Sequence, residues 1–242
     1  MPTVIVDSNQ VVSSDWYVKG PAWQELAEHC RAGALQIVVP QVVVKEAVGK
    51  FRAKANLALG HLSEIKVPLD VVLLCSQYED SLRAALSGIG ATMPPDVCID
   101  VDTLVHRATM RMKPFNSAGN GFRDTIVWAH AKSRAEAGSQ VVLISGDKGF
   151  GIDHDGVRRL DADLADELSD PSSVTVFSSI RDYLKSLPLR DGDEPDADTQ
   201  AAVAAIQAII DDDVAQVEIN VAIALQSATT VVSGRVHRRG DR

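Results

Sequence analysis

Two β-branched runs lie far apart in the sequence, and each leads into an aspartate. Thr3–Val6 ends at Asp7, and Val141–Ile144 runs into Ser145-Gly146-Asp147. Short apolar runs of this kind read as strands buried on both faces. Leu35–Val39, closed by Pro40, reads the same way, and Val174–Phe177 reads as a further strand. Helical segments fall between the strands. Pro21–Arg31 is amphipathic and stops at Gly33. Val44, Ala47, Val48, Phe51, Ala55, Ala58, Leu62 and Ile65 recur at three- and four-residue spacing. Gln77–Ile89, Asp100–Met112, Gly121–Ala137, Asp161–Leu168 and Ser179–Leu187 predict further helices. Strands alternating with helices give an α/β domain, with a mainly parallel sheet and right-handed crossovers.

In such a sheet the carboxyl ends of the strands and the starts of the following helices share one edge, where sites form. Four acids fall there. Asp7 ends the first strand, Glu46 lies in the first turns after Pro40, Asp124 opens a helix, and Asp147 follows the Val141–Ile144 strand. Taken singly, each has a structural reading: a turn or cap aspartate, a solvated helix glutamate, or a partner for the helix dipole. Together on one edge they would repel and raise one another's pKa values. A hard divalent cation, Mg²⁺ or Mn²⁺, removes that penalty. Such an ion can activate water and stabilise charge building on a phosphodiester.

The net charge of −9 argues at first against a polyanionic partner. Ten acids and five arginines fall after Pro188, however, so −5 of that charge lies there and −4 in residues 1–187. Residues 188–199 read as an acidic linker with almost nothing apolar. Residues 200–242 read as a small extension: a helix over Ala201–Ile210, an alternating strand over Val217–Leu225 and a return over Val231–Arg235. No run is long and apolar enough for a membrane span, and MPTVIVDSN has no signal-peptide pattern. Cys30, Cys75 and Cys98 are odd in number and widely spaced, which fits buried thiols in a reduced cytoplasm and not a disulfide framework.

Four stretches, in order, carry a resemblance: VIVDSN, VVVKEAV, GFRDTIVWAHA and LISGDKGF. They resemble the motifs of PIN-domain nucleases over residues 1–187. Lys113-Pro114-Phe115 followed by Gly121-Phe122-Arg123-Asp124 resembles a bacterial PIN subfamily with extra helices between the second and third acids. The resemblance implies a PIN-like three-layer α/β sandwich, here with a small C-terminal appendage. It implies that Asp7, Glu46, Asp124 and Asp147 bind Mg²⁺ or Mn²⁺ and that Asn9 and Ser145 support the site. Asp153 falls where some members place a further metal-binding acid, although Gly151-Ile152-Asp153 also reads as a surface turn. The implied reaction is RNA phosphodiester hydrolysis by a metal-activated water. A toxin or an RNA-processing enzyme, a protein partner such as an antitoxin, and a homodimer are all implied by relatives.

Substrate phosphates would meet cations near the acids: Lys113, Arg123 and above all Lys148. The runs Lys45, Lys50, Arg52, Lys54 and Arg107, Arg111 read either as phosphate contacts or as solvated helix faces. Trp128, His106 and His130 read as structural. A haloacid-dehalogenase-like phosphatase also begins with a strand ending in aspartate and carries a later Gly-Asp. It needs an acid two residues after the first, where this chain has Asn9. A Rossmann reading lacks the glycine-rich first turn. A non-catalytic PIN scaffold would show lost acids, and all four are present.

Overall fold

A computed structural model of the chain describes residues 1–13, 16–62, 70–154 and 157–188. The chain divides between Leu187 and Pro188, and the first unit carries every element below. The elements expected over 189–242 lie outside the described residues.

Four strands, β1 (Thr3–Val6), β2 (Gln36–Val38), β3 (Val141–Ile144) and β6 (Val174–Phe177), form a parallel sheet in the order β2-β1-β3-β6. Thr3 pairs with Gln36 on one side and Val141 on the other, and Val141 pairs with Val174. Every residue of β1 and β3 is buried, so both faces of the sheet are covered and the strands read as continuous apolar runs. A separate antiparallel pair, β4 (Gly151–His154) and β5 (Val157–Leu160), follows β3 and packs beside β6.

The helices fall into two packed groups. In one, α6 (Phe122–Glu136) lies on β1 and β3 and touches α3 (Gln41–Leu62) and α5 (Val101–Met110). Helices α1 (Ser8–Ser13) and α4 (Val71–Gly88) pack on α3. In the other, α2 (Pro21–Arg31) packs on α8 (Ile180–Ser186), with α2 against β2 and α8 against β6. The short α7 (Ala162–Ala165) precedes β6. This is the three-layer α/β sandwich expected from the sequence.

Local chemistry sets the helix ends. Pro21 opens α2 at a position where a missing N–H costs nothing, and Gly33 follows it at φ +70°. The Asp70 carboxylate accepts from Val72 N and Leu73 N, which starts α4 at Val71, earlier than the helix expected from Gln77. Asp100 caps α5 and Ser179 caps α8 in the same way. The thiols divide: Cys75 is buried, Cys30 half-buried and Cys98 exposed, all three free. Only Cys75 therefore fits the expectation of buried thiols. Among the described residues no helix is long and apolar enough to cross a membrane.

The strand order places the site. The chain leaves β1 towards β2 on one side and returns as β3 on the other. The crevice between the carboxyl ends of β1 and β3 is therefore the switch point at which an α/β sheet accepts ligands. Asp7 and Asp147 stand there.

Candidate metal centre

Asp7 follows β1 directly and is almost fully buried. Its carboxylate accepts from Ser8 N at 2.6 Å, Ser145 Oγ at 2.6 Å and Asn9 Nδ2 at 2.9 Å. Burial drives its pKa up, against the lowering effect of the Ser145 and Ser8 hydrogen bonds; Glu46 adds a smaller rise and Lys50 a smaller fall.

Ser145, with no exposed surface, joins two of the acids. Its hydroxyl donates to Asp7 Oδ2 and accepts from Asp147 N at 3.0 Å and from Asn9 Nδ2 at 3.2 Å. One small hydroxyl thus fixes the end of β1 against the loop after β3. Asn9 is held in turn by Gln10, whose amide bridges Asn9 Oδ1 and Ser178 O.

Asp147 is exposed, and its Oδ1 accepts from Gly149 N at 2.6 Å. Glu46, 10% exposed at its side chain, reaches in from the second turn of α3 and is paired with Lys50 and Arg123, both at 3.0 Å. Asp124 sits in the first turn of α6. Its pKa is raised to about 7, first by burial and then by the charges of Asp7, Asp147 and Glu46, with Arg123 opposing. One carboxyl therefore feels the other three. The first turn of α6 brings Asp124 over the β1–β3 crevice because α6 packs on both strands.

Gly121 and Gly149 shape this arrangement, and both lie inside the motifs that carry the resemblance. Gly121 precedes α6 at φ +145°, and a Cβ there would lie 2.5 Å from Phe115 Cα. A Cβ on Gly149 would lie 2.9 Å from Pro114 O and 3.0 Å from Asp147 Oδ1. The Pro114–Phe115 segment therefore packs against both the entry to α6 and the loop after Asp147, and it needs bare backbone at each contact. Arg107 donates to Lys113 O and pairs with Glu167, which ties the segment to α5.

The remaining expected residues scatter. Asp153 lies on β4, its side chain 64% exposed and paired with Arg158 at 3.3 Å. Arg158 also donates to Asp147 O, so it braces the loop. Lys113 turns to Asp161 at 3.5 Å. Lys148 is exposed beside Asp147. Of the basic runs, Lys45 pairs with Asp96 and Arg107 with Glu167, so neither is a free phosphate contact. Trp128 and His130 are core residues, 1% exposed each; the Trp128 indole N–H donates to Glu167. What sequence reasoning left in a crowd was Lys50, whose spacing of four from Glu46 on one helix was the available signal.

A family model described as the PIN domain matches residues 4–150, more than half of the chain, and spans all four acids. The chain belongs to the PIN-domain family. No curated protein and no solved structure matches it. PIN domains are generally metal-dependent nucleases, and a divalent ion is the group the family implies. The chemistry of four carboxylates, oxygen ligands only, would suit one, and the charges of Asp7, Asp147 and Glu46 add to burial in raising the pKa of Asp124. As placed, no three acid, histidine or cysteine side chains among the described residues converge tightly enough to share an ion. Glu46 is paired instead with the cationic heads of Lys50 and Arg123.

Proposed function

We propose that this PIN domain hydrolyses internal phosphodiester bonds of RNA in the cytoplasm, with Asp7, Glu46, Asp124 and Asp147 holding Mg²⁺ or Mn²⁺. The observation that carries the reading is the carboxyl of Asp124, whose pKa is raised first by burial and then by the charges of Asp7, Asp147 and Glu46 around it. When bound, the ion lowers the pKa of its water and offsets charge on the scissile phosphate. The chain's own residues do the rest. Asp7 is held in one orientation by Ser145, Ser8 and Asn9, which makes it the fixed side of the site. Ser145 also holds the backbone of Asp147, so two donors stay in register. Arg123 and Lys148, both exposed, would meet phosphate oxygens, Arg123 once released from Glu46. A free groove of about 570 Å³ runs along β6 beside Arg158, Phe177 and Lys185, off the carboxylates themselves.

A haloacid-dehalogenase-like reaction would need an acid at position 9. Asn9 instead donates its amide to Asp7 and Ser145, a role that carries no proton transfer. A protein partner, whether an antitoxin or a second copy, is supported by the exposed Val101, Val105 and Met110 of α5. Residues 188–242 would then be an appended unit.

The test is an endonuclease assay on single-stranded RNA with Mn²⁺. Cleavage at internal positions is expected, with Glu46→Gln slowing it by roughly a hundredfold or more. Phosphomonoesters should be poor substrates. Phosphate trapped on Asp7, or full turnover in Glu46→Gln, would move the assignment to the phosphatase.

A further inference from the structure

Among the described residues, Glu46 is the acid of the four that is held in ion pairs. Lys50 Nζ lies 3.0 Å from Glu46 Oε1 and also donates to Ser8 Oγ at 3.2 Å, next to Asp7. Arg123 Nη1 lies 3.0 Å from the same oxygen, and Arg123 immediately precedes Asp124 in the chain. Two cations from two different helices thus meet one carboxylate oxygen.

The exposures make this clamp reversible. The Lys50 side chain is 41% exposed and that of Arg123 57%, while Glu46 is only 10% exposed. Partly exposed ion pairs contribute little net stability, because solvent screens them and long side chains lose freedom in holding them. A divalent ion placed among four carboxylates gains far more from Glu46 than either monovalent head does. Released from Glu46, both heads would stay at the rim, where the phosphate of an RNA strand has to lie to reach an ion on Asp7 and Asp124.

We propose that Lys50 and Arg123 are exchangeable counter-cations of Glu46: they hold it while the metal is absent and pass to the RNA phosphate when the ion takes it. The exchange rests on the nuclease reading above. It gives the two residues opposite effects on the two ligands, repelling the ion and attracting the strand. A side chain that merely supported the fold would weaken both.

The test is titration of Mn²⁺ into the whole protein by calorimetry, without RNA, followed by binding of a short single-stranded RNA in Ca²⁺. Lys50→Met and Arg123→Met should each bind Mn²⁺ roughly three- to tenfold more tightly than the unaltered protein. Each should bind the RNA about tenfold more weakly at low salt. Lys50→Arg should restore both values towards the original. Lys45→Met, whose partner is Asp96 and not Glu46, should change neither. Mn²⁺ affinity that is equal or weaker in both variants would overturn the exchange, as would tighter Mn²⁺ binding with unchanged RNA binding. If Asp124→Asn binds Mn²⁺ as well as the unaltered protein does, the metal site itself is misassigned and the nuclease reading fails with it.

Discussion

Asp124→Asn should stabilise the metal-free protein near neutral pH while nearly abolishing cleavage. The Asp124 carboxyl has a folded-state pKa of about 7 against 3.8 for the free side chain. An acid whose pKa is raised by folding favours the folded state fully below its unfolded value, and that contribution is lost as pH rises towards the folded value. Metal-free protein should therefore lose stability between about pH 4 and pH 7, and buried Asp7, whose pKa is shifted in the same direction, adds to the slope. A three-unit shift corresponds to at most about 4 kcal/mol. Sharing among four coupled acids makes about 2–4 kcal/mol the reasonable range, or roughly 5–10 °C in a domain of this size. Asparagine carries no charge and escapes this cost, so the variant's melting temperature in EDTA should exceed that of the unaltered protein at about pH 8 and match it near pH 4. Turnover should fall by roughly a hundred- to a thousandfold. Calorimetric scans with parallel pH slopes for the two proteins would show that Asp124 is not where the repulsion gathers.

Gly121→Ala should unfold more of the domain than any other single methyl addition near the site. The residue sits at φ +145° and ψ 3°, backbone that an L side chain cannot adopt without strain. The added carbon would lie 2.5 Å from Phe115 Cα and 2.8 Å from Phe115 N. Both are main-chain atoms, so no rotamer change relieves the clash. Phe115 is itself buried at 4% exposure, which leaves its segment little room to retreat. A loss of about 3–5 kcal/mol is expected, read as a drop of roughly 10 °C in the melting transition. Gly138→Ala provides the contrast: its φ is also positive, at +84°, but a Cβ there meets nothing within 4 Å. It should cost only the backbone strain, about 1–2 kcal/mol. Equal losses at the two glycines would mean that the contact with Phe115 is not what demands glycine at position 121.

The strands were the most legible part of the chain. β1 and β3 begin and end where their β-branched runs do, because a strand buried on both faces leaves no polar position to blur its limits; β6 keeps the same limits although Thr175 is exposed. α2 is equally clear, with proline at its start and Gly33 after its end. α1 was missed: Ser8–Ser13 is a single short turn rich in poor helix formers, held by the burial of Ser8 and Val11 and not by propensity. The β4–β5 pair was missed as well, although Asp155-Gly156 between two short runs is a hairpin signal. Gly151 is required there, since a Cβ would lie 2.5 Å from Arg159 O.

For the site, strand ends and helix starts singled out four acids, and the charges of Asp7, Asp147 and Glu46 all bear on Asp124. The direction in which each cation points was not legible. Lys45 and Lys50 lie five residues apart on one helix and read alike, yet one pairs with Asp96 and the other with Glu46. Arg107 and Arg123 differ in the same way, one facing Glu167 and the other Glu46. Such choices depend on which loop packs across the helix, and spacing along the chain does not encode that. The Pro114–Phe115 segment is an example. Its motif was visible, but its contact with both Gly121 and Gly149 emerges only when the elements are packed.

Asp7, Glu46, Asp124 and Asp147 are proposed to form one ion site. The most direct measurement is a crystal structure of the protein soaked with Mn²⁺, with the ion located by its anomalous scattering. A peak is expected between β1 and β3, with oxygens of Asp7 and Asp124 at about 2.0–2.3 Å and with Glu46 turned from Lys50 and Arg123 towards the ion. A peak elsewhere, such as on Asp153, or a crystal that binds no Mn²⁺ at these four acids, would contradict the account.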